Sequence, residues 1–182
     1  MGDLFKMRQS WQLWEGALSK EKCEQYIELC KQTCTLQDGA TFNSDTTHRK
    51  TKIGWTNLSE LKQLAQNYAY QANRAAFGFD VNYIPSIQFG EYTEGSFYGW
   101  HHDIDWTDNK MYDRKLSIVV QLTDPKKYEG GEFQFRSVQT PLTFKTQGSV
   151  LVFPSYLEHQ VTKITEGTRY SLVCWAEGPR WR

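Results

Sequence analysis

Tyr83-Ile84-Pro85-Ser86-Ile87-Gln88-Phe89-Gly90-Glu91-Tyr92 is where the chain changes character. β-Branched and aromatic residues crowd into it, and comparable short segments then recur between turn residues. Leu116 to Leu122, Glu132 to Phe135, Ser149 to Phe153 and Tyr170 to Trp175 are the clearest. Asp124-Pro125, Gly130-Gly131 and Gly148 punctuate them. Upstream the pattern is helical. Ser19 can cap a helix on which Cys23, Tyr26, Ile27, Cys30 and Cys34 recur at three-and-four spacing. A second helix is predicted over about Leu58 to Phe77, with Leu58, Leu61, Leu64, Ala65, Tyr68 and Ala72 on one face and Gly78 as its stop. Helices first and many short strands after predict an α+β fold, its strands closed into a barrel or jelly roll. One domain is expected over 1–182, with helical support over about 1–80 and the barrel core over about 81–178. The open mouth and alternately lined interior of such a barrel suit a small-molecule site.

Composition narrows the function. The 182 residues are 39% hydrophobic and 23% charged, as in an ordinary globular protein. Aromatic residues reach 15%, which fits a thick β core or a ring-lined pocket. Twenty-one basic residues balance twenty-one acidic ones, without the basic excess a dedicated nucleic-acid binder needs to displace counterions. No nucleic-acid partner is expected. No run of apolar residues is long enough to span a membrane, and Met1 to Ser10 lacks the apolar stretch of a secretory signal. Cys23, Cys30, Cys34 and Cys174 are too few and unevenly spread for a disulfide framework, and the first three share a helix stripe, so they read as core thiols. The expectation is a reduced, cytoplasmic protein.

The chemistry concentrates in Tyr98-Gly99-Trp100-His101-His102-Asp103-Ile104-Asp105-Trp106. Side chains alternate faces on an extended strand, so His101 and Asp103 point the same way and can share one metal. Asp105 shares that face and stays a rival to Asp103, while His102 faces away. Of the two remaining histidines, His48 sits in the polar run His48-Arg49-Lys50 and reads as a loop residue, whereas His159 follows a β segment. Two histidines and one carboxylate leave open positions on a metal, as Fe(II) oxygenases require. Gly167-Thr168-Arg169-Tyr170-Ser171 lies downstream. Arg169 can grip a carboxylate with two prongs, and Ser171 alternates onto its face.

His-x-Asp, a distal histidine and an arginine ten residues later resemble the signature of the 2-oxoglutarate and Fe(II)-dependent dioxygenases. The chain looks like their prolyl 4-hydroxylase branch, including the PKHD-type hydroxylases, over roughly Arg49 to Trp175. The resemblance implies a double-stranded β-helix (jelly-roll) core with Fe(II) on His101, Asp103 and His159. It implies 2-oxoglutarate and dioxygen as cosubstrates, with ascorbate a further candidate, and hydroxylation of a C–H bond with release of succinate and CO2. Arg169 would anchor the distal carboxylate of 2-oxoglutarate. Tyr92, in Tyr92-Thr93-Glu94-Gly95, matches the family tyrosine that donates to 2-oxoglutarate. Arg114 in Arg114-Lys115-Leu116-Ser117, Tyr98 and Trp175 match residues that meet a prolyl substrate, so a proline-containing peptide or protein is the implied partner. Tyr128-Glu129-Gly130-Gly131-Glu132 resembles the family's Gly-Gly turn, and Arg49 to Trp55 a stretch common in PKHD-type proteins.

Two departures stand out. Gln121 occupies a position where many relatives have tyrosine, and is expected to donate a hydrogen bond to the cosubstrate in its stead; Thr123 replaces an asparagine. Arg169 stands where collagen-type members use lysine. The same oxygenase chemistry on a free amino acid, a small metabolite or a nucleobase remains an alternative. A non-catalytic metal- or ligand-binding β-barrel is the alternative of another class. The stretch from Trp106 to Asp113, polar and just after the ligand pair, suggests a lid.

Overall fold

The computed structural model describes residues 9–39, 47–104 and 111–181. Asp105, Trp106 to Lys110 of the suggested lid, and Met1 to Arg8 lie outside the described residues. In chain order the elements are β1 (Gln12–Trp14), α1 (Lys20–Thr33), β2 (Gln37–Asp38), β3 (Arg49–Lys50), β4 (Lys52–Thr56) and α2 (Ser59–Ala72). Then follow β5 (Ile87–Tyr92), β6 (Phe97–His101), β7 (Tyr112–Gln121), β8 (Tyr128–Gly130) and β9 (Phe133–Phe135). The last are β10 (Val150–Pro154), β11 (His159–Val161), β12 (Ile164–Gly167) and β13 (Arg169–Pro179).

The helices form where the sequence signals them. The Ser19 side chain accepts the Lys22 amide at the start of α1, and Cys23, Tyr26 and Cys30 are buried along its inner stripe. Helix α2 continues as a π-helical turn over Asn73–Phe77 and stops at Gly78, whose φ of 65° is the left-handed conformation a glycine adopts without strain. No helix among the described residues is long and apolar enough to cross a membrane.

Strand pairing is antiparallel throughout. A seven-stranded sheet runs β1-β10-β7-β13-β5-β4-β2, and a four-stranded sheet runs β3-β6-β11-β9. The large sheet is covered on both faces, which explains the near-continuous apolar runs of β7, β10 and β13. Ile118 and Val120, Val150 and Val152, Leu172 and Cys174 face the helices and pack with Cys23, Tyr26, Leu61, Ala65 and Ala69. Val119, Leu151 and Phe153 face the small sheet and pack with Tyr92, Phe133, Phe135 and Val161. Each large apolar side chain so buried stabilises the fold by about 1.5–3 kcal/mol. The double-stranded jelly roll expected from the sequence is the observed architecture.

The N-terminal half is less purely helical than its pattern suggests. Strands β1 to β4 lie before α2, and they extend both sheets. Their pairing partners specify them: Lys52 to Thr56 pairs with Ile87 to Glu91, and Arg49-Lys50 with Phe97 and Tyr98. Strands of two to five residues leave too short a stretch for any periodicity to register. The four cysteines are free and buried, as core thiols should be.

Candidate metal centre

Strand β6 ends on His101 and β11 begins on His159, and the two are Cα partners across the ladder. Two residues past β6 the backbone N–H of Asp103 donates to the Ser155 carbonyl at 3.0 Å, which brings its carboxylate to the mouth where the two sheets face each other. His101 Nε2 lies 3.6 Å from Asp103 Oδ1, and His159 Nε2 lies 3.6 Å from Asp103 Oδ2. All three ligand atoms fall within 4.8 Å of one another, and they form the one such group among the described residues. Donors about 2.1 Å from a first-row dication sit about 3 Å apart, so this spacing fits a metal.

The surroundings prepare each ligand. His101 donates from Nδ1 to the Gly99 carbonyl at 2.7 Å, and His159 from Nδ1 to the Leu157 carbonyl at 2.8 Å. A carbonyl only accepts, so the proton is on Nδ1 and each Nε2 lone pair faces Asp103. Burial pushes the His159 imidazole down to about 4, against the upward pull of Asp103, which keeps the ring neutral. Burial alone would raise the Asp103 carboxyl. The attraction of His159 and His101 and the hydrogen bond donated by the Ser117 hydroxyl outweigh it and hold the group below the usual carboxylate range. Ser117 Oγ donates to Asp103 Oδ2 at 2.6 Å and lies 3.0 Å from Ser155 Oγ. One carboxylate and two imidazoles suit a divalent cation, and no fourth protein ligand closes the shell among the described residues.

Rings and cations surround this centre. Tyr98 stacks on His101 with centroids 3.5 Å apart, and burial pushes its phenol up to about 12. The Arg49 guanidinium lies 4.3 Å from the Tyr98 ring and donates to Gln88 at 3.2 Å. Arg114 donates to the Asp103 carbonyl at 3.3 Å while its guanidinium covers the Trp175 ring at 3.7 Å. Trp55, 42% exposed, lies 6.0 Å from Trp175. The Trp175 indole N–H is buried with no partner among the described residues. His48 is half-buried and edge-on to Tyr98 at 6.1 Å, away from the ligand atoms.

Deeper in the barrel, β13 begins with Arg169, the Cα partner of Tyr92. Arg169 is 2% exposed, and its guanidinium lies 5.5 Å from the Tyr92 ring. No carboxylate among the described residues lies within ion-pairing distance of it. A buried cation without an acid is costly, and a carboxylate carried by a ligand would offset that cost. Ser171, buried, is the Cα partner of both Gly90 and Gln121. Gln121 departs from expectation: its amide donates to the Thr123 carbonyl at 2.9 Å and the Tyr128 hydroxyl at 3.1 Å, so both amide protons are already engaged. It therefore orients Tyr128 beside Arg169, a residue the sequence marked only as part of a turn. Trp55, Arg49 and Ser117 were also missed as individual site residues. An exposed tryptophan in a resemblance-bearing stretch was the available signal for Trp55, and for Ser117 it was its place at the end of Arg114-Lys115-Leu116-Ser117.

The model of the 2OG-Fe(II) oxygenase superfamily matches residues 87–177. A PKHD-type hydroxylase of Gloeothece citriformis is 36% identical over 95 residues, covering 52% of this chain and 43% of that protein. One from Rippkaea orientalis is 29% identical over 145 residues, 70% of this chain and 65% of its own length. The chain thus spans less than two thirds of these relatives. Among solved structures, a viral collagen prolyl hydroxylase from Paramecium bursaria Chlorella virus-1, in a 2OG complex, superposes with TM-score 0.74 at 18% identity. That match covers 93% of this chain and 97% of the viral one. A prolyl hydroxylase from Trichoplax adhaerens, solved with a hypoxia inducible factor peptide fragment, gives 0.72 at 14% identity over 92% of this chain and 83% of its own.

Proposed function

The chain belongs to the 2OG-Fe(II) oxygenase superfamily, and from that membership we propose that it hydroxylates prolyl residues of a peptide or protein, acting as one domain over 1–182. The carrying observation is the pairing of His101, Asp103 and His159 with a buried Arg169 that has no acid partner among the described residues. Fe(II), 2-oxoglutarate and dioxygen together supply an oxidative decarboxylation that leaves succinate and CO2 and puts one oxygen atom into a substrate C–H bond.

The protein's own part is binding, orientation and exclusion of water. His101, Asp103 and His159 hold the metal through two Nε2 atoms and a carboxylate kept ionised by its neighbours. Arg169 binds the distal carboxylate of 2-oxoglutarate, with Tyr92 and Ser171 on the same inner face. Phe133, Phe153 and Val161 wall the cavity against water. Tyr98, Trp175 and Arg114 present two rings and a guanidinium beside Asp103, a surface suited to a proline ring flanked by peptide carbonyls. Neighbours named as prolyl hydroxylases, one solved with a peptide fragment, support this substrate class.

The test is succinate release from 2-oxoglutarate with Fe(II) and ascorbate over a panel of proline-containing peptides, each scored by mass spectrometry, with His101→Ala as control. Peptide-stimulated succinate and one added oxygen on proline are expected. Turnover with no oxidised peptide would refute the prolyl substrate and keep the oxygenase. No turnover and no iron-dependent 2-oxoglutarate binding would leave a binding module.

A further inference from the structure

A cavity of about 790 Å³ opens between the edge strand β9 and the chain segment from Val138 to Lys145. Its rim carries Arg136 and Lys145 together with Glu129 and Glu132, so charge at the surface favours neither sign. At its base lie Gln121, Tyr128 and Arg169. None of His101, Asp103 and His159 lines it, nor do Arg114, Trp175 and Tyr98. The Phe133 ring forms the partition, lining the cavity on one side and lying 5.3 Å from the His159 ring on the other.

The two ends of the barrel are thus addressed from two directions. Trp175 and Arg169 both sit on β13, six residues apart, which is about 20 Å of extended strand. At the Trp175 end Arg114 covers the Trp175 ring and the exposed Trp55 lies 6.0 Å from it. The Arg169 end meets the cavity. We propose that this cavity is a separate port for the dicarboxylate, through which 2-oxoglutarate reaches Arg169 and succinate leaves, without passing the groove that takes the substrate. The proposal rests on the reading of Arg169 as the cosubstrate anchor. A route of this kind lets cosubstrate and product exchange while the substrate groove is covered. Selection is made at the base, by the buried Arg169 guanidinium, and the walls between rim and base are the rings of Phe133, Phe135 and Phe144.

The two properties separate kinetically. An obstacle in a route slows binding and release alike and leaves the equilibrium where it was, whereas a change in a binding site shifts the equilibrium. Gln139 and Lys145 are exposed lining residues outside the catalytic machinery, and Gln139→Trp and Lys145→Trp add bulk to the channel at two independent points. Association and dissociation of 2-oxoglutarate are followed by stopped flow on the Fe(II)-loaded protein without oxygen, from the visible absorption of the iron–keto-acid chelate.

Both rates are expected to fall by about fivefold or more in each variant with Kd within about twofold, while Gln139→Ala slows neither. Unchanged rates in both tryptophan variants would overturn the port and send the cosubstrate through the substrate mouth. So would a raised Kd carried by faster release alone, or equal slowing by Gln139→Ala. A parent protein that binds iron yet no 2-oxoglutarate would overturn the anchor reading and the port with it, and is told apart by the parent's own titration.

Discussion

Replacing Ser117 by alanine removes one oxygen from the floor of the metal site and changes almost nothing else. Ser117 is fully buried, and its hydroxyl donates to Asp103 Oδ2 at 2.6 Å, a short bond of the charge-assisted kind. Such a bond contributes about 1.5–3 kcal/mol, which at 1.4 kcal/mol per decade is roughly 10- to 100-fold in affinity. Ser155 Oγ, 3.0 Å from Ser117 Oγ, would lose its own partner but cannot replace the donation without moving. Ser117→Ala should therefore weaken Fe(II) binding by about 10- to 100-fold, the range found when groups that orient metal ligands are removed. Ser155→Ala should cost less, and should add nothing once Ser117 is gone, because it acts through Ser117. Anaerobic isothermal titration of Fe(II) into the three variants measures this, with far-ultraviolet circular dichroism to verify the fold. Unchanged affinity in a folded Ser117→Ala protein would refute the claim that this hydroxyl holds the carboxylate in place for metal.

Arg169→Ala should abolish 2-oxoglutarate turnover with Fe(II) binding kept, and unchanged turnover would sink the anchor. Arg169→Met should also raise the melting temperature of the cosubstrate-free protein by a few degrees, about 2–4 °C per kcal/mol at this size, because it deletes a buried charge that lacks an acid; calorimetry with and without 2-oxoglutarate reads both effects. For pH, the His159 imidazole is depressed from 6.5 to about 4, so the unfolded chain takes up the proton first as pH falls. The metal-free protein is then expected to keep this contribution above about pH 6.5 and lose it progressively towards about pH 4, and His159→Gln should flatten that part of a urea-denaturation series. Leu61→Ala, at a 1% exposed position between α2 and the large sheet, should cost about 2–5 kcal/mol in the same assay, without changing metal affinity.

What the sequence disclosed depended on whether a signal was local. His101 and Asp103 were legible as a pair because they are neighbours in the chain, although Asp103 lies on a bend beyond β6 and not on the extended strand that alternation assumes. The α1 cap was legible because Ser19 and Lys22 are neighbours in chain as well as in space. His159 and Arg169 needed order and spacing along the whole chain, and the superfamily match spans that spacing. Ser117 stood in a matched stretch, but its contact with Asp103 could not be read, since it exists only after β7 is laid beside the mouth. The present partners of Gln121 were hidden for a related reason. Its type announced a donor, but the partners that use up its amide, Thr123 and the Tyr128 hydroxyl, are set by the turn before β8. Strands β2 and β3 carry Gln37-Asp38 and Arg49-Lys50, polar pairs that are strands because neighbours complete them.

Strand β7 shows how the molecule divides its obligations. Ile118 and Val120 hold the helical backing, while Ser117, Val119 and Gln121 look into the chamber. A lineage carrying this barrel can therefore rewrite every second letter of a strand and leave the others alone. Changes at the polar inward letters, Ser117 and Gln121, act on the chamber, and changes on the outward letters act on the packing against the helices. Diversification of substrates within such a fold requires no new architecture, only drift confined to one parity of the strand.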